Sequence, residues 1–328
     1  MMRFPIAGFR AIALITTILL AVSATAATAD EAQHTASTPA YYRLKLGDLE
    51  IVALSDGTRT LNAHQLVNIE PAALDRALAG ADQSNPVPTS FNAFLVDTGR
   101  RRILIDSGAG SLWGPKLGQL TASLRAAGYG PEQIDEIYLT HLHTDHVGGL
   151  MDGDQLRFPN AVVRASQQEA DYWLSPAHLN RAADDDKGSF RNAMTSIYPY
   201  AAAQHFQTFD GDIELAPGIR AIASGGHTAG HTSYLIESRG QRLLVWGDML
   251  HVAAVQFSMP QATMRFDFDR DQAVATRRQA YAQAARDGYL IAGAHLPFPG
   301  LGRVEASAGG YRWIPANSPR AGAAAEAK

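Results

Sequence analysis

The chain has 328 residues, of which 46% are hydrophobic and 18% are charged, and its formal net charge is −4 at pH 7. This composition is apolar enough to bury a large core, which excludes a disordered chain and a coiled coil. A mildly acidic chain without a basic cluster also lacks the electrostatic surface that binds nucleic acid or anionic membranes. The sequence has no cysteine, so any metal ion must be held by nitrogen and oxygen ligands.

The first 29 residues have the pattern of a secretory signal peptide. Arg3 and Arg10 make a basic start, residues 11–22 form an apolar run, and small residues follow. The run is too short to span a membrane, so the pattern predicts export with cleavage after Ala26 or Ala29. The mature chain is therefore expected to be secreted or periplasmic and free of the membrane, with a flexible lead-in over residues 30–40.

The following residues predict strands first, then mixed elements, then strands again. Strands are predicted over residues 42–46, 49–54, 91–96 and 102–105, with turns at Asp56-Gly57 and Thr98-Gly99. Further strands are predicted over 136–140, 161–165, 219–223, 233–237, 242–246 and 289–294, and helices over 117–127, 167–174 and 272–287. Residues 175–200 are predicted to form a long surface loop, and the low-complexity residues 316–328 a disordered tail. This order favours two sheets with helices outside, a layered α/β sandwich.

A cluster of metal-binding residue types follows the strand predicted to end at Thr140. The sequence there is HLHTDHVGG, residues 141–149. Side chains of an extended chain alternate between two faces, so His141 and His143 point to the same side. A turn after them lets Asp145 and His146 face a second point. Two imidazoles for one ion and an Asp–His pair for another are what a binuclear metal site requires.

Two ions need more ligands, and the sequence offers candidates where later predicted strands end. His227 and His231 lie in a glycine-rich turn, Asp248 follows the strand over 242–246, and His295 follows the strand over 289–294. Loops at the ends of a rigid strand scaffold are where binding and catalytic groups are usually placed. One such residue alone is more often structural, so it is their combination that favours a metal site.

These features resemble the metallo-β-lactamase superfamily over nearly the whole mature chain. The resemblance rests on Asp106 after a predicted strand, on the motif over 141–146, and on His227, Asp248 and His295. Five segments also resemble the methyl parathion hydrolase group: YYRLKLGDLEIVALSDG (41–57), EIYLTHLHTDHVGGLM (136–151), FPNAVVRA (158–165), VAAVQF (252–257) and AHLPFPG (294–300). The resemblance implies a four-layer αβ/βα sandwich of two mixed sheets with helices outside, formed by a single domain over residues 41–315.

The resemblance also implies a role for each candidate ligand. It places His141, His143 and His227 on one metal ion, Asp145, His146 and His295 on a second, and Asp248 as a bridge between them. Asp106 and His231 match positions that support the ligands without binding metal. Asp248 and Asp145 are thus expected to be the carboxylates of the catalytic centre. The donor set suits two Zn²⁺ ions per chain, with Mn²⁺, Co²⁺ or Fe²⁺ as alternatives.

Two such ions would lower the pKa of a water between them, and the bridging hydroxide would attack an ester-like bond without a serine or cysteine nucleophile. The resemblance places Trp113, Trp173 and Phe190 around an aromatic pocket, although packing of Trp173 in the core is an equally good interpretation. Large aromatic side chains there favour a small, neutral, apolar ester or lactone. Phosphate monoesters and nucleic acids would call for Arg and Lys, of which the nearby sequence has few.

The sequence therefore predicts an exported zinc-dependent hydrolase of the methyl parathion hydrolase type, acting on aryl phosphotriesters and on aryl esters or lactones. The alternative is a lactonase for aryl or acyl-homoserine lactones with little phosphotriesterase activity. The superfamily's acyl-homoserine lactonases have a tyrosine three residues after the bridging aspartate. Here that position is His251, a predicted pocket residue, which weakens the alternative.

Two further functions stay open at this point. A metal-binding protein without catalysis is opposed by the complete set of seven candidate ligands. A nucleic-acid processor of the same superfamily is opposed by the export signal and by the acidic balance of charges. A homodimer is implied only by analogy with the family.

Overall fold

The structure is a computed structural model that describes residues 1–2 and 40–316. The predicted signal peptide, lead-in and tail lie almost wholly outside these residues, so they stay predictions. Within the described ranges, no helix combines the length and the apolar character needed to cross a membrane.

The described residues form eighteen strands. The first ten are β1 (Tyr41–Leu46), β2 (Leu49–Leu61), β3 (Leu66–Val67), β4 (Val87–Asp97), β5 (Arg102–Ile105), β6 (Glu136–Tyr138), β7 (Met151–Asp152), β8 (Gln155–Leu156), β9 (Val162–Ser166) and β10 (Phe206–Phe209). The others are β11 (Ile213–Ala216), β12 (Ile219–Ala223), β13 (Thr232–Ser238), β14 (Gln241–Val245), β15 (Thr263–Met264), β16 (Leu290–Ala292), β17 (Leu301–Ser307) and β18 (Gly310–Pro315).

Eight α-helices connect these strands in the same part of the chain. They are α1 (Pro71–Gly80), α2 (Leu120–Ala126), α3 (Thr144–Val147), α4 (Gln167–Trp173), α5 (Pro176–Arg181), α6 (Lys187–Ala202), α7 (Ala253–Gln256) and α8 (Arg270–Asp287). The longest, α8, has clear local causes for both of its ends. The Asp269 side chain accepts the N–H of Gln272 at its start, and Gly288 takes the left-handed conformation, with φ 65°, just after its end.

Most of the strands belong to two mixed sheets, each of seven strands among the described residues. The first has the order β1-β2-β4-β5-β6-β9-β10, and the second has the order β11-β12-β13-β14-β16-β17-β18. In the first sheet β5, β6, β9 and β10 pair in parallel, and in the second β14 pairs in parallel with β16. Parallel neighbours end at the same edge of a sheet, so the loops after β5 and β6, and those after β14 and β16, are neighbours.

The core lies in layers because side chains alternate along each strand. Ile51 of β2 packs in one cluster with Ile236 of β13, so this cluster joins the two sheets. The next residue, Val52, packs instead with Leu124 of α2 on the other face. In the second sheet, Leu244 of β14 packs in a cluster with residues of α8. The order is helices, sheet, sheet, helices, which confirms the predicted four-layer sandwich.

The prediction of a surface loop over residues 175–200 is wrong, because α5 and α6 occupy this region. Phe190, Ile197 and Tyr200 of α6 are buried at helical spacing and join the core beside the first sheet. The consecutive aspartates before α6 and several turn-forming residues hide this periodicity in the sequence. Several elements were not predicted, among them helix α1, strands β10 and β11, and the hairpin β17–β18. The other predicted elements are present with shifted ends.

The predicted turn at Asp56-Gly57 is also wrong, because β2 continues through it as a β-bulge against β4. Gly57 has φ +135°, and a Cβ there would lie 2.1 Å from the carbonyl oxygen of Lys116, so only glycine fits. The buried Asp56 carboxylate accepts the backbone N–H of Ala109 at 2.9 Å and that of Leu120 at 3.0 Å. The bulge therefore directs a carboxylate at two loops instead of reversing the chain.

Candidate metal centre

Loops at the carboxyl ends of four strands bring the predicted ligands together. His141 and His143 follow β6, Asp145 and His146 lie in α3, His227 lies between β12 and β13, Asp248 follows β14, and His295 follows β16. The motif can approach this point because Gly149 carries no side chain. A Cβ there would lie 1.8 Å from the carbonyl oxygen of Ser107.

The seven predicted ligands form two clusters that share one carboxylate. One cluster has donor atoms of His141, His143, His227 and Asp248, and the other has donor atoms of Asp145, His146, Asp248 and His295. The four donor atoms of each cluster lie within 4.8 Å of one another. Asp248 belongs to both clusters, which is the position that the resemblance assigns to the bridging ligand.

The distances around Asp248 show how closely the two clusters approach. Its Oδ2 atom lies 3.1 Å from Nε2 of His295 and 3.4 Å from Nε2 of His227. Its Oδ1 atom lies 3.1 Å from Nε2 of His146. Asp145 joins the second cluster through Oδ2, which lies 3.4 Å from Nε2 of His295. Each oxygen of Asp248 therefore faces imidazole nitrogens.

Two buried atoms in this arrangement test whether metal ions fit. His146 Nε2 and Asp248 Oδ1 have no hydrogen-bond partner among the described residues. Buried polar atoms are nearly always paired, so two unpaired atoms side by side within a cluster of donors fit a shared cation. Imidazole and carboxylate donors without thiolates suit Zn²⁺ and related divalent ions. The residues present thus fit a pair of such ions.

Burial and neighbouring charges set the protonation of the donors. Burial lowers the pKa of His141 well below its ordinary value and that of His143 to about 3, so both rings are neutral and able to bind metal. Burial opposes ionisation of Asp248, but His295 and His146 outweigh it and hold the pKa of this carboxyl well below its usual range. The position shared by both clusters is therefore an ionised carboxylate.

Asp106 lies where a supporting residue is predicted. Its Oδ2 atom lies 2.8 Å from Nδ1 of His146, and its Oδ1 atom accepts the backbone N–H of Thr140 at 2.8 Å. Burial lowers the pKa of His146, but the carboxylates of Asp248, Asp106 and Asp145 outweigh it and raise this pKa well above its ordinary value. Asp106 thereby fixes the ring so that Nε2 faces the centre.

His231 lies beside the centre with both ring nitrogens engaged. Its Nε2 atom accepts the backbone N–H of Asp248 at 3.1 Å, and its Nδ1 atom lies 2.9 Å from Oγ of Ser224. Burial lowers its pKa to about 3. His231 belongs to neither donor cluster, and its supporting role stays a prediction.

Two buried carboxylates near the centre were not found from the sequence. Asp267 lies between β15 and α8, and its Oδ1 atom is 2.8 Å from Nδ1 of His227. Glu169 lies in α4 and accepts backbone N–H groups of Leu142 and Gly230. Neither residue follows a predicted strand. The one available signal, the pattern S-x-x-E that ends at Glu169, indicates a helix start and gives no hint of a metal centre.

The donor clusters lie in a cavity of about 920 Å³ that all four predicted pocket residues line: Trp113, Trp173, Phe190 and His251. The ring of Trp173 meets that of His143 edge to face, with centroids 5.0 Å apart, and packs against Phe190 at 4.6 Å. Trp173 is only 8% exposed and belongs to the core as well. Trp173 therefore both lines the cavity and packs in the core.

The cavity has further lining residues that the sequence did not indicate. Phe91, Phe266 and Phe268 add to its aromatic wall. Arg59 and Arg265 also line it, whereas few basic residues were expected there. The Arg59 guanidinium lies over the ring of Trp113, 5.2 Å from its centroid, so one positive charge is placed on the aromatic wall.

His251 lies closer to the centre than a general pocket position requires. It is buried, and its Nε2 atom lies 3.0 Å from Oδ2 of Asp248. Burial lowers its pKa although the Asp248 carboxylate opposes this. Its second ring nitrogen, Nδ1, is buried without a hydrogen-bond partner among the described residues.

Comparisons with solved structures give two neighbours that span the whole fold. A crystal structure of AbOPH, described as a hydrolase in the beta-lactamase superfamily, is 39% identical, with a TM-score of 0.81, and the match covers 86% of this chain and 99% of that chain. AidC, a dizinc quorum-quenching lactonase in complex with a product, N-hexanoyl-L-homoserine, is 28% identical, with a TM-score of 0.80 and the same coverage of 86% and 99%.

Comparisons with curated sequences give more partial matches. An N-acyl homoserine lactonase of Bacillus sp. is 32% identical over 115 residues, which are 35% of this chain and 38% of that protein. The chain spans about two fifths of the length of the first curated relatives that it matches.

Residues 87–302 match the metallo-beta-lactamase superfamily. The prediction that the chain is related to metal-dependent hydrolases is confirmed by these relatives. Because the family match spans well over half of the chain, and because a hydrolase of the same superfamily is 39% identical over nearly its whole length, this protein belongs to the metallo-beta-lactamase superfamily.

Proposed function

We propose that this chain is a binuclear metal hydrolase that cleaves ester-like bonds of small, neutral, apolar substrates, aryl phosphotriesters among them. The observation that carries this proposal is the meeting of two four-donor clusters on Asp248 inside one aromatic cavity. The similarity to a 39%-identical hydrolase and to a dizinc lactonase supports the reaction class and favours zinc as the metal.

When bound, two divalent ions would act as Lewis acids and would lower the pKa of a water molecule between them. The protein orients three of the histidine ligands by placing an oxygen atom near Nδ1 of each ring, the nitrogen that faces away from the centre. Nδ1 of His146 faces Asp106, Nδ1 of His227 faces Asp267, and Nδ1 of His295 lies 3.1 Å from the carbonyl oxygen of Ser90. Each ring thereby presents Nε2 to the centre, with its orientation already determined.

The cavity wall supports the choice of substrate. Trp113, Trp173 and Phe190 offer flat apolar surfaces for an aromatic or acyl group, and these surfaces exclude water from the centre. A cavity of about 920 Å³ accommodates a small organic ester. The serine and cysteine nucleophiles of other esterases are not needed for this reaction.

A second candidate function is a lactonase with little phosphotriesterase activity. The similarity to AidC and to the N-acyl homoserine lactonase of Bacillus sp. favours it. His251 weighs against an acyl-homoserine lactonase of the common type, which has tyrosine at this position. The candidate therefore rests on the relatives and not on a feature of the pocket.

A substrate panel on the purified mature chain would separate these functions. We expect turnover of a paraoxon-like aryl phosphotriester, abolished by a chelator and restored by Zn²⁺, with kcat/KM compared against dihydrocoumarin and an acyl-homoserine lactone. Turnover of lactones alone would favour the second candidate. No turnover of any substrate by protein with two bound ions would show a metal-binding protein without this activity.

We also propose that the chain is exported, on the strength of the pattern in residues 1–29. Expression in a Gram-negative host and N-terminal sequencing of the periplasmic protein should give a start at Ala27 or Asp30. An uncleaved cytoplasmic product would contradict this.

A further inference from the structure

Glu169 is a fully buried carboxylate on α4, with 0% exposure of the residue. Its Oε2 atom accepts the backbone N–H of Leu142 at 3.1 Å, and its Oε1 atom accepts that of Gly230 at 2.7 Å. Leu142 stands between His141 and His143 in the chain, and Gly230 lies three residues after His227. One carboxylate therefore joins the two loops that carry all three histidines of the first donor cluster.

The start of α4 holds the second of these loops by more than one bond. The hydroxyl of Ser166, the residue before α4, accepts the N–H of Glu169 at 3.2 Å and donates to the carbonyl oxygen of Gly230 at 2.8 Å. A Cβ at Gly230 would lie 2.3 Å from that hydroxyl oxygen, so the loop lies directly against the helix. Both the N–H and the carbonyl group of Gly230 are thus hydrogen-bonded to residues at the start of α4.

The sequence around Glu169 has a simpler explanation that the structure does not support. In the pattern S-x-x-E at a helix start, the glutamate ordinarily bonds back to the backbone N–H of the capping serine. Here the carboxylate bonds to Leu142 and Gly230 instead, on loops distant in sequence. Burying a carboxylate is costly, so its two directed hydrogen bonds to ligand loops indicate a role beyond capping the start of the helix.

The second donor cluster is oriented by other groups. Asp106 holds His146, and the carbonyl oxygen of Ser90 faces His295. The hydrogen bonds of the Glu169 carboxylate go instead to Leu142, which stands between two donors of the first cluster, and to Gly230, three residues after its third histidine. Trp173, one helical turn after Glu169, meets the ring of His143 and lines the cavity, so α4 also joins this cluster to the substrate pocket.

We propose that Glu169 is a positioning residue for one of the two metal ions, the ion held by His141, His143 and His227. This rests on the metal centre of the proposed function but not on any substrate. Glu169 acts through the backbone of the two loops, which sets the spacing of the three rings. Supporting groups of this kind typically change metal affinity by 10- to 100-fold.

The test is a Zn²⁺ titration of metal-free Glu169→Gln against a chromophoric chelator. Glutamine has the same shape but replaces one acceptor oxygen with an NH₂ group, which cannot accept a backbone N–H. We expect one of the two Zn²⁺ ions to bind at least about 10-fold more weakly, with the other unchanged. Gln168→Ala, an exposed neighbour on the same helix, is the matched control and should leave both affinities unchanged.

Asp106→Asn identifies the affected ion, because it should weaken the other one. The double variant should then weaken both ions, and absorption spectra of the Co²⁺-substituted proteins should differ between the two single variants. The melting temperature of metal-free Glu169→Gln should stay close to that of the metal-free wild type. If Glu169→Gln does not fold, Glu169→Asp is titrated in the same way.

Unchanged affinities for both ions, or equal weakening of both, would overturn the proposal. If neither variant folds without metal, Glu169 serves the stability of the fold alone, and the proposal is overturned as well. The titration needs no substrate. Wild-type protein that binds two ions but hydrolyses no ester would therefore contradict the proposed function. The role of Glu169 would still be decided by the metal affinities of its variants.

Discussion

At the scale of single residues, Asp248 is the side chain on which both donor clusters depend. Its two oxygens face His146 on one side and His227 and His295 on the other. The other carboxylate among the seven donors, Asp145, belongs to the second cluster alone. No described side chain is therefore placed to replace Asp248 between the two ions.

We expect Asp248→Ala to abolish hydrolysis and to prevent the binding of a pair of ions, because the shared donor is lost. Metal content by elemental analysis and kcat/KM on the best substrate measure this. Asp184→Ala, at a side chain 93% exposed, is the control and should behave as wild type. Near-normal kinetics with two bound ions in Asp248→Ala would contradict the bridging role.

Trp173 tests the aromatic wall at the same scale. We expect Trp173→Ala to raise KM for aryl substrates more than it lowers kcat, because it removes a flat surface beside His143. The same change removes buried contacts with Phe190 and should cost about 3–5 kcal/mol of unfolding free energy.

A matched control separates the two effects of Trp173→Ala. Trp313 packs against Phe257 in the core cluster of the second sheet and does not line the cavity. Trp313→Ala should therefore destabilise the protein without changing KM. An unchanged KM in Trp173→Ala as well would show that Trp173 serves the core alone.

At the scale of elements, α6 shows how a helix can be hidden in a polar stretch. Its apolar residues recur at helical spacing only from Phe190 onward, after three consecutive aspartates. The helix then places Phe190 against Trp173 of α4, so it supports the pocket wall from behind. An element predicted to be a loop is thus part of the support of the candidate site.

We expect Ile197→Ala in α6 to lower the unfolding free energy by about 2–5 kcal/mol, because Ile197 is fully buried. Denaturant titration followed by circular dichroism measures this change. The exposed Arg191→Ala in the same helix should change it by less than about 0.5 kcal/mol. Equal small effects of both changes would mean that α6 does not pack as described.

At the scale of the whole molecule, the candidate metal centre draws its donors from both sheets. Ligands from loops after β6 of one sheet and after β14 and β16 of the other meet at Asp248. Bound ions would therefore connect the sheets at one edge, in addition to the apolar cluster between them. The stability of the fold should then depend on metal.

We expect removal of metal by a chelator to lower the melting temperature by several degrees and Zn²⁺ to restore it. Ligand at 1,000 times its dissociation constant stabilises a native protein by about 4 kcal/mol. Differential scanning calorimetry with and without chelator measures the shift. The same melting temperature and the same activity in both conditions would contradict a structural and catalytic metal pair.

The sequence by itself determined the features that depend on neighbouring residues. The direction of His141 and His143 follows from extended backbone, and the position of Asp145 and His146 from the turn that comes next. The order of predicted strands and helices predicted a layered sandwich, and metal-binding residue types at strand ends gave the candidate donors. The family resemblance implied which seven of them bind metal. These properties are local, because backbone dihedrals of a few residues decide where a side chain points.

Only the tertiary structure decided which distant groups support those donors. Glu169 and Asp267 reach Gly230 and His227 across 61 and 40 residues of chain, and Arg59 meets Trp113 only because β2 continues past its bulge. Such contacts depend on strand order, register and helix packing. A sequence pattern shows that a carboxylate exists, but the packed fold decides which loop it holds.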